Sequence, residues 1–124
     1  MSMLYILDGH TPVPVADPRV WSAWFTDADL LRRVGTWRYL DLATHEERAT
    51  VSTVFLAIDH AWLTDGPQLF ETMVFMDGHD LDGFQLRYPT WERAAAGHAH
   101  TVALVRAALG LPDENRPDED GKED

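Results

Sequence analysis

The chain has 124 residues, a formal net charge of −11 and no cysteine. That length fits one domain and can bury a core without staples, and the missing cysteines exclude disulfides, thiolate zinc sites and a cysteine nucleophile. Seven acids after Pro112, against Arg116 and Lys122, put −5 in the tail and leave −6 in the body, a charge that repels nucleic-acid backbones in general.

Met3 to Leu7 reads as a short strand closed by Asp8-Gly9. Thr11-Pro12-Val13-Pro14 is extended, because each proline biases its predecessor toward β or polyproline geometry. Asp17-Pro18 starts a helix, with an acidic N-cap before a proline that suits the first helical position. Val20, Trp21, Trp24, Phe25 and Ala28 recur at helical spacing, giving a short helix with an aromatic face that ends between Asp27 and Leu31.

Val34 to Leu42 alternates as a strand, with Trp37 and Tyr39 on one face and Thr36 and Arg38 on the other. Thr44 to Glu47 turns the chain. Thr50 to Asp59 is the clearest strand, and its apolar residues on both faces predict a central strand covered on both sides. His60 to Gln68, with Asp65-Gly66-Pro67, is a loop. Leu69 to Met76 is the next strand, Asp77 to Gly83 a turn, and Phe84 to Tyr88 a short strand.

Pro89-Thr90 opens the last helix. Its apolar stripe is Trp91, Ala94, Ala95, His98, Val102, Val105 and Leu109, and Gly110 with Pro112 ends it. The expected fold is α+β in one domain, 1–111. It has an antiparallel sheet of four to five strands, a short N-terminal aromatic helix and a long C-terminal helix packed on one face. The other face needs the aromatic helix or a second subunit over it. The segment 112–124 is an acidic tail whose composition predicts disorder. No apolar run is long enough to span a membrane, and Met1 to Leu7 lacks a signal-peptide pattern.

Candidate functional residues follow from polar groups set in apolar runs. Asp59 and His60 close the central strand, where a rigid backbone can hold a base or a ligand beside an adaptable loop. The same two residue types also simply end strands. Glu71 alternates with Leu69, Met73 and Phe75; pointing inward, it needs Arg87, Arg38 or a histidine as partner. His98 lies on the apolar stripe of the last helix, and His100 falls on another face, so the two form no chelating pair. Trp62, in the loop after Asp59-His60, suits stacking or capping. Asp77 to Gly83 has carboxylates at 77, 80 and 82 but fails the EF-hand spacing, so it reads as a turn. Phosphate-loop, serine-elbow and zinc-protease signatures are absent.

The run Ser52 to Leu56, then Asp59-His60, then Leu69 to Phe75, with Tyr88, Thr90-Trp91, Ala94 and Gly97-His98, resembles small uncharacterised proteins of actinobacterial phages and prophages. Leu7-Asp8-Gly9, Thr11 to Pro14 and the Trp21, Trp24-Phe25 helix are similar to the same group. Val34 to Arg48 is longer here. The resemblance implies a phage or prophage setting and no assigned activity.

The expected function is that of a non-enzymatic accessory protein in the cytoplasm of the bacterial host. It would act by binding a host protein or a small signalling molecule, as in counter-defence. The expected ligand-binding residues are Asp59, His60, Trp62, Glu71, Tyr88 and His98, with no cofactor and no metal. Two alternatives stand beside it. One is a small hydrolase or metal-dependent enzyme in which Asp59 or Glu71 orients His60 or His98. The other is a structural or assembly protein with a homo-oligomer interface on the covered sheet face.

Overall fold

A computed structural model describes residues 3–59 and 66–111. The elements are β1 (Leu4–Asp8), β2 (Thr11–Val15), α1 (Pro18–Asp27), β3 (Arg33–Leu40), β4 (Glu47–Phe55), β5 (Phe70–Phe75), β6 (Gln85–Tyr88) and α2 (Trp91–Ala108). The fold is α+β. Strands β3-β4-β5-β6 form a four-stranded antiparallel meander. β1 and β2 form a separate antiparallel hairpin. The prolines at 12 and 14 sit in β2, in a two-stranded sheet that leaves an edge for residues without an N–H. A Leu4–Ile58 bridge ties the hairpin to the chain beyond β4.

The helices begin and end where local chemistry sets them. Asp17 Oδ1 accepts from Arg19 N at 2.9 Å, with Pro18 in the first turn of α1. Thr90 Oγ1 accepts from Arg93 N at 3.1 Å to cap α2. At its other end Leu111 N donates to Arg106 O at 2.8 Å, and Gly110 supplies the left-handed residue at φ +76°. No helix among the described residues is long and apolar enough to cross a membrane.

Directly opposed residues in antiparallel strands share a face. Gly35, Trp37, Tyr39, Ala49, Val51, Thr53, Phe55, Phe70, Thr72 and Val74 therefore line one face, and α2 packs there. One end of this core gathers Ala49, Val51, Val74, Met76 and Val105. The other gathers Leu7, Phe55, Ala57, Leu69, Phe70 and Ala94, with Trp21, Trp24 and Phe25 of α1 against them. His10, in the β1–β2 turn, stacks on Trp91 with ring centroids 3.7 Å apart.

Three expectations need correction. The aromatic helix does not cover the second sheet face, because Trp24 meets Phe55 on the same side as α2. Among the described residues no helix or strand packs on that second face, which carries Thr36, Arg38, Ser52, Val54, Glu71, Met73, Phe75, Gln85 and Arg87, so of the described elements only those on the α2 side cover β4. Within the helices, Val20 and Ala95 point outward rather than into the apolar stripes. β4 also ends at Phe55 rather than Asp59, because Ala57 adopts φ +69° and breaks the strand.

Candidate functional site

The structure distributes the six candidate residues. Two of them, His60 and Trp62, lie outside the described residues, as does the acidic tail expected over 112–124. The other four fall in three places.

His98 and Tyr88 both lie at the interface between α2 and the sheet, His98 over β3 and β4 and Tyr88 on β6. The imidazole lies over Gly35, where the missing side chain leaves room for it; a Cβ there would stand 2.7 Å from the His98 ring. Nδ1 of His98 is 2.7 Å from Thr53 Oγ1, and Thr53 Oγ1 is 2.6 Å from Thr72 Oγ1. Both threonines are fully buried. A polar seam thus crosses the helix–sheet interface inside an otherwise apolar layer. Burial pushes the His98 pKa below the ordinary histidine value of 6.5. Tyr88 packs its phenol against Gly97 of α2. Its Oη is buried and has no hydrogen-bond partner among the described residues, an arrangement that costs free energy without any return in pairing.

Glu71 is on the opposite face. It lies across from Val54 on β4 and Arg87 on β6. Arg87 Nε donates to Glu71 Oε2 at 3.0 Å, and Gln85 Nε2 donates to the same oxygen. Glu71 therefore has the Arg87 partner that the sequence suggested, but on the side of the sheet away from α2. It cannot orient His98, which removes one carboxylate–histidine pairing considered for a hydrolase.

Asp59 sits at the exit of β4. Its N–H donates to Met3 O at 3.1 Å, and the residue is half-buried. The geometry of this exit is fixed just upstream: Ala57 O accepts from Tyr5 N at 2.8 Å and from Trp21 Nε1 at 3.1 Å. Two donors on one carbonyl hold a non-glycine residue in left-handed backbone, a conformation that persists only when its surroundings over-determine it.

Two features had no isolated signal in the sequence. One is an acidic rim at the Glu47–Phe75 end of the open face. Two shallow clefts there share Glu47, Arg48 and Asp77; one adds Phe75, Met76 and Asp82, and the other adds Glu46. These residues come from the end of the β3–β4 turn and the start of β4, and from the end of β5 and the β5–β6 turn, which the meander brings side by side. Asp82 was legible as a turn residue, and its Oδ1 accepts from Met76 N at 2.7 Å. The other feature is Arg32, packed over Phe25; the adjacent pair Arg32-Arg33 gives no hint of which one packs inward. Among the described residues no group of three His, Asp or Glu side chains is placed to hold a metal ion.

The geometry divides these residues by chemistry. The seam under α2 joins structural elements, the open face presents side chains, and the β4 exit fixes a corner. No protein-family model, no curated protein and no solved structure matches the chain.

Proposed function

We propose that the protein acts by binding, presenting the open sheet face and its acidic rim to a partner protein whose surface is basic. The observation that carries this reading is Phe75. It is 50% exposed on the open face and shares a cleft with Glu47, Asp77, Asp82 and Arg48, whose guanidinium is paired with Asp41. An aromatic side chain beside a rim of net negative charge is the complement of an apolar pocket rimmed by lysine and arginine. Val54 and Met73 continue the apolar surface along the sheet, and the Glu71–Arg87 and Arg38–Glu47 pairs add fixed polar contacts. The net charge of −11 supports the same choice, since it steers basic partners in and repels nucleic acid. A flat face with dispersed side chains fits a macromolecule better than an enclosed small molecule. The resemblance to actinobacterial phage proteins suggests the setting: an accessory protein in the host cytoplasm that occupies a basic surface of a host protein, as counter-defence does.

A photo-crosslinking residue at Phe75, compared with one at Ala99 on the outer side of α2, tests this in host lysate. The expected result is a basic host protein captured at 75 and not at 99. Glu47→Lys with Asp77→Lys should abolish capture, and added salt should weaken it. Capture of the same proteins at both positions, or of a second copy of the chain at 75, would overturn the reading; the second copy would favour an assembly role.

A further inference from the structure

Arg32 immediately precedes β3, and its backbone carbonyl accepts from Phe55 N at 2.8 Å. Its side chain turns back over α1. The guanidinium lies 4.2 Å from the centroid of Phe25, against which Trp21 also stacks at 4.7 Å. Nε donates to Phe55 O at 3.2 Å. The guanidinium is thus held by its face and by one edge, and its rotamer is fixed before any ligand arrives.

Its remaining edge has no partner among the described residues. Asp29 is the nearest candidate counter-ion, but it pairs with Arg33 at 2.9 Å and leaves Arg32 outside the ion pair. Tyr88 Oη is the one buried side-chain polar atom without a partner among the described residues, so the two Nη groups of Arg32 are open to solvent. Burial works against the charge of Arg32 while the field of Asp29 supports it, and the group stays protonated at any physiological pH. A half-buried charge is normally paired. In a chain with 21 acids and 10 bases, a fixed guanidinium without a carboxylate is the exception.

We propose that Arg32 is an oxyanion-binding residue, taking a phosphate or carboxylate group of a small ligand end-on through Nη1 and Nη2, with Phe25 and Phe55 O as its positioning groups. End-on pairing uses the two nitrogens that Phe55 O leaves free, and the planar fork matches two oxygens of one anion. The backbone around the site is equally fixed: Trp21, the other ring on Phe25, donates to Ala57 O, which holds the left-handed turn two residues after Phe55. The site lies at the β4 exit, at the far end of the strand from the acidic rim, and does not depend on the protein-docking reading.

Titration of the ¹⁵N-labelled full chain with inorganic phosphate, with acetate and with chloride, at constant ionic strength, tests the assignment. The readout is the side-chain Nε–Hε resonance of Arg32 and the indole resonance of Trp21. The expected result is a saturable shift of Arg32 with phosphate, acetate or both, absent with chloride. Saturation by phosphate alone, or by acetate alone, identifies which source of the oxyanion the site takes. Arg32→Gln should lose the saturable response at Trp21, and Arg93→Gln, on the exposed side of α2, should keep it. Linear shifts equal for all three anions, or saturation at other residues with Arg32 silent, would overturn the proposal. The wild-type titration decides this even where Arg32→Gln fails to fold.

Discussion

The two faces of the central sheet are built from the same strands and differ in what their polar residues do. On the α2 face, Thr53 and Thr72 are sealed from water and bond to each other and to His98. On the open face, Glu71 bonds to Arg87 and Gln85 at the surface. A polar group on the first face is a joint that the fold requires. On the second it is a contact that the fold offers. The small residues Gly35 and Ala49 lie on the α2 face and let the helix come close, while Phe75 stands out on the other.

The sharpest way to break this contrast is Thr53→Val, which keeps the shape and removes the hydroxyl at the centre of the seam. The Thr72 hydroxyl and His98 Nδ1 then lose their partner, at a cost of about 1–3 kcal/mol. Urea unfolding measures it, and Thr53→Val with Thr72→Val should cost less than the two single changes added together.

A smaller effect is expected at Gly97→Ala. Alanine gains about 1 kcal/mol in helix propensity over glycine, but its Cβ would overlap the Tyr88 phenol. Overpacking of this kind costs about 1–3 kcal/mol, so the variant should be less stable by about 1 kcal/mol net. A more stable Gly97→Ala in thermal unfolding would mean that Tyr88 is not held against α2.

The subtlest test uses pH. His98 has a lowered pKa in the folded state, so the unfolded chain binds more protons and stability rises with pH. The contribution is complete above the ordinary histidine value of 6.5 and is lost as pH falls below it toward the folded value. Unfolding midpoints from pH 8 to pH 5 should therefore fall more steeply for wild type than for His98→Gln. Glu71→Gln, on the other face, should leave the His98-dependent part of that slope unchanged. A changed slope in Glu71→Gln would show that the two faces are coupled.

Much of this architecture was legible locally. Asp17-Pro18, Thr90 and Gly110 carry cap chemistry in their side chains and backbone, so both helices could be placed within a turn of their observed ends. The antiparallel meander followed from short polar connections. The end of β4 was not legible, since Leu56-Ala57-Ile58 continues the apolar run and nothing in alanine announces a positive φ. Nor was the coverage of the sheet. Both alternating sets of β4 and β5 contain apolar residues, and only the meeting of α1 with Phe55 decides which side both helices take. For the site, Arg87 was one of three partners open to an inward-pointing Glu71, and it is the one observed, while His98 was placed on the core-facing stripe. That these two lie on opposite sides depended on register, which a single strand does not contain. Arg32 was invisible because its distinction from Arg33 is tertiary.

The meander has a consequence for the order of assembly. Every strand pair in the main sheet joins neighbours along the chain, so each pairing closes a local loop, the longest being residues 56–69 between β4 and β5. The layer that shields Thr53 and Val51 comes from α2, which follows all four strands. Until that helix docks, the strands present two bare faces instead of one, and buried hydroxyls that are silent in the native state are open to water and to neighbouring chains. Aggregation during refolding should therefore be governed by how fast α2 closes over its face.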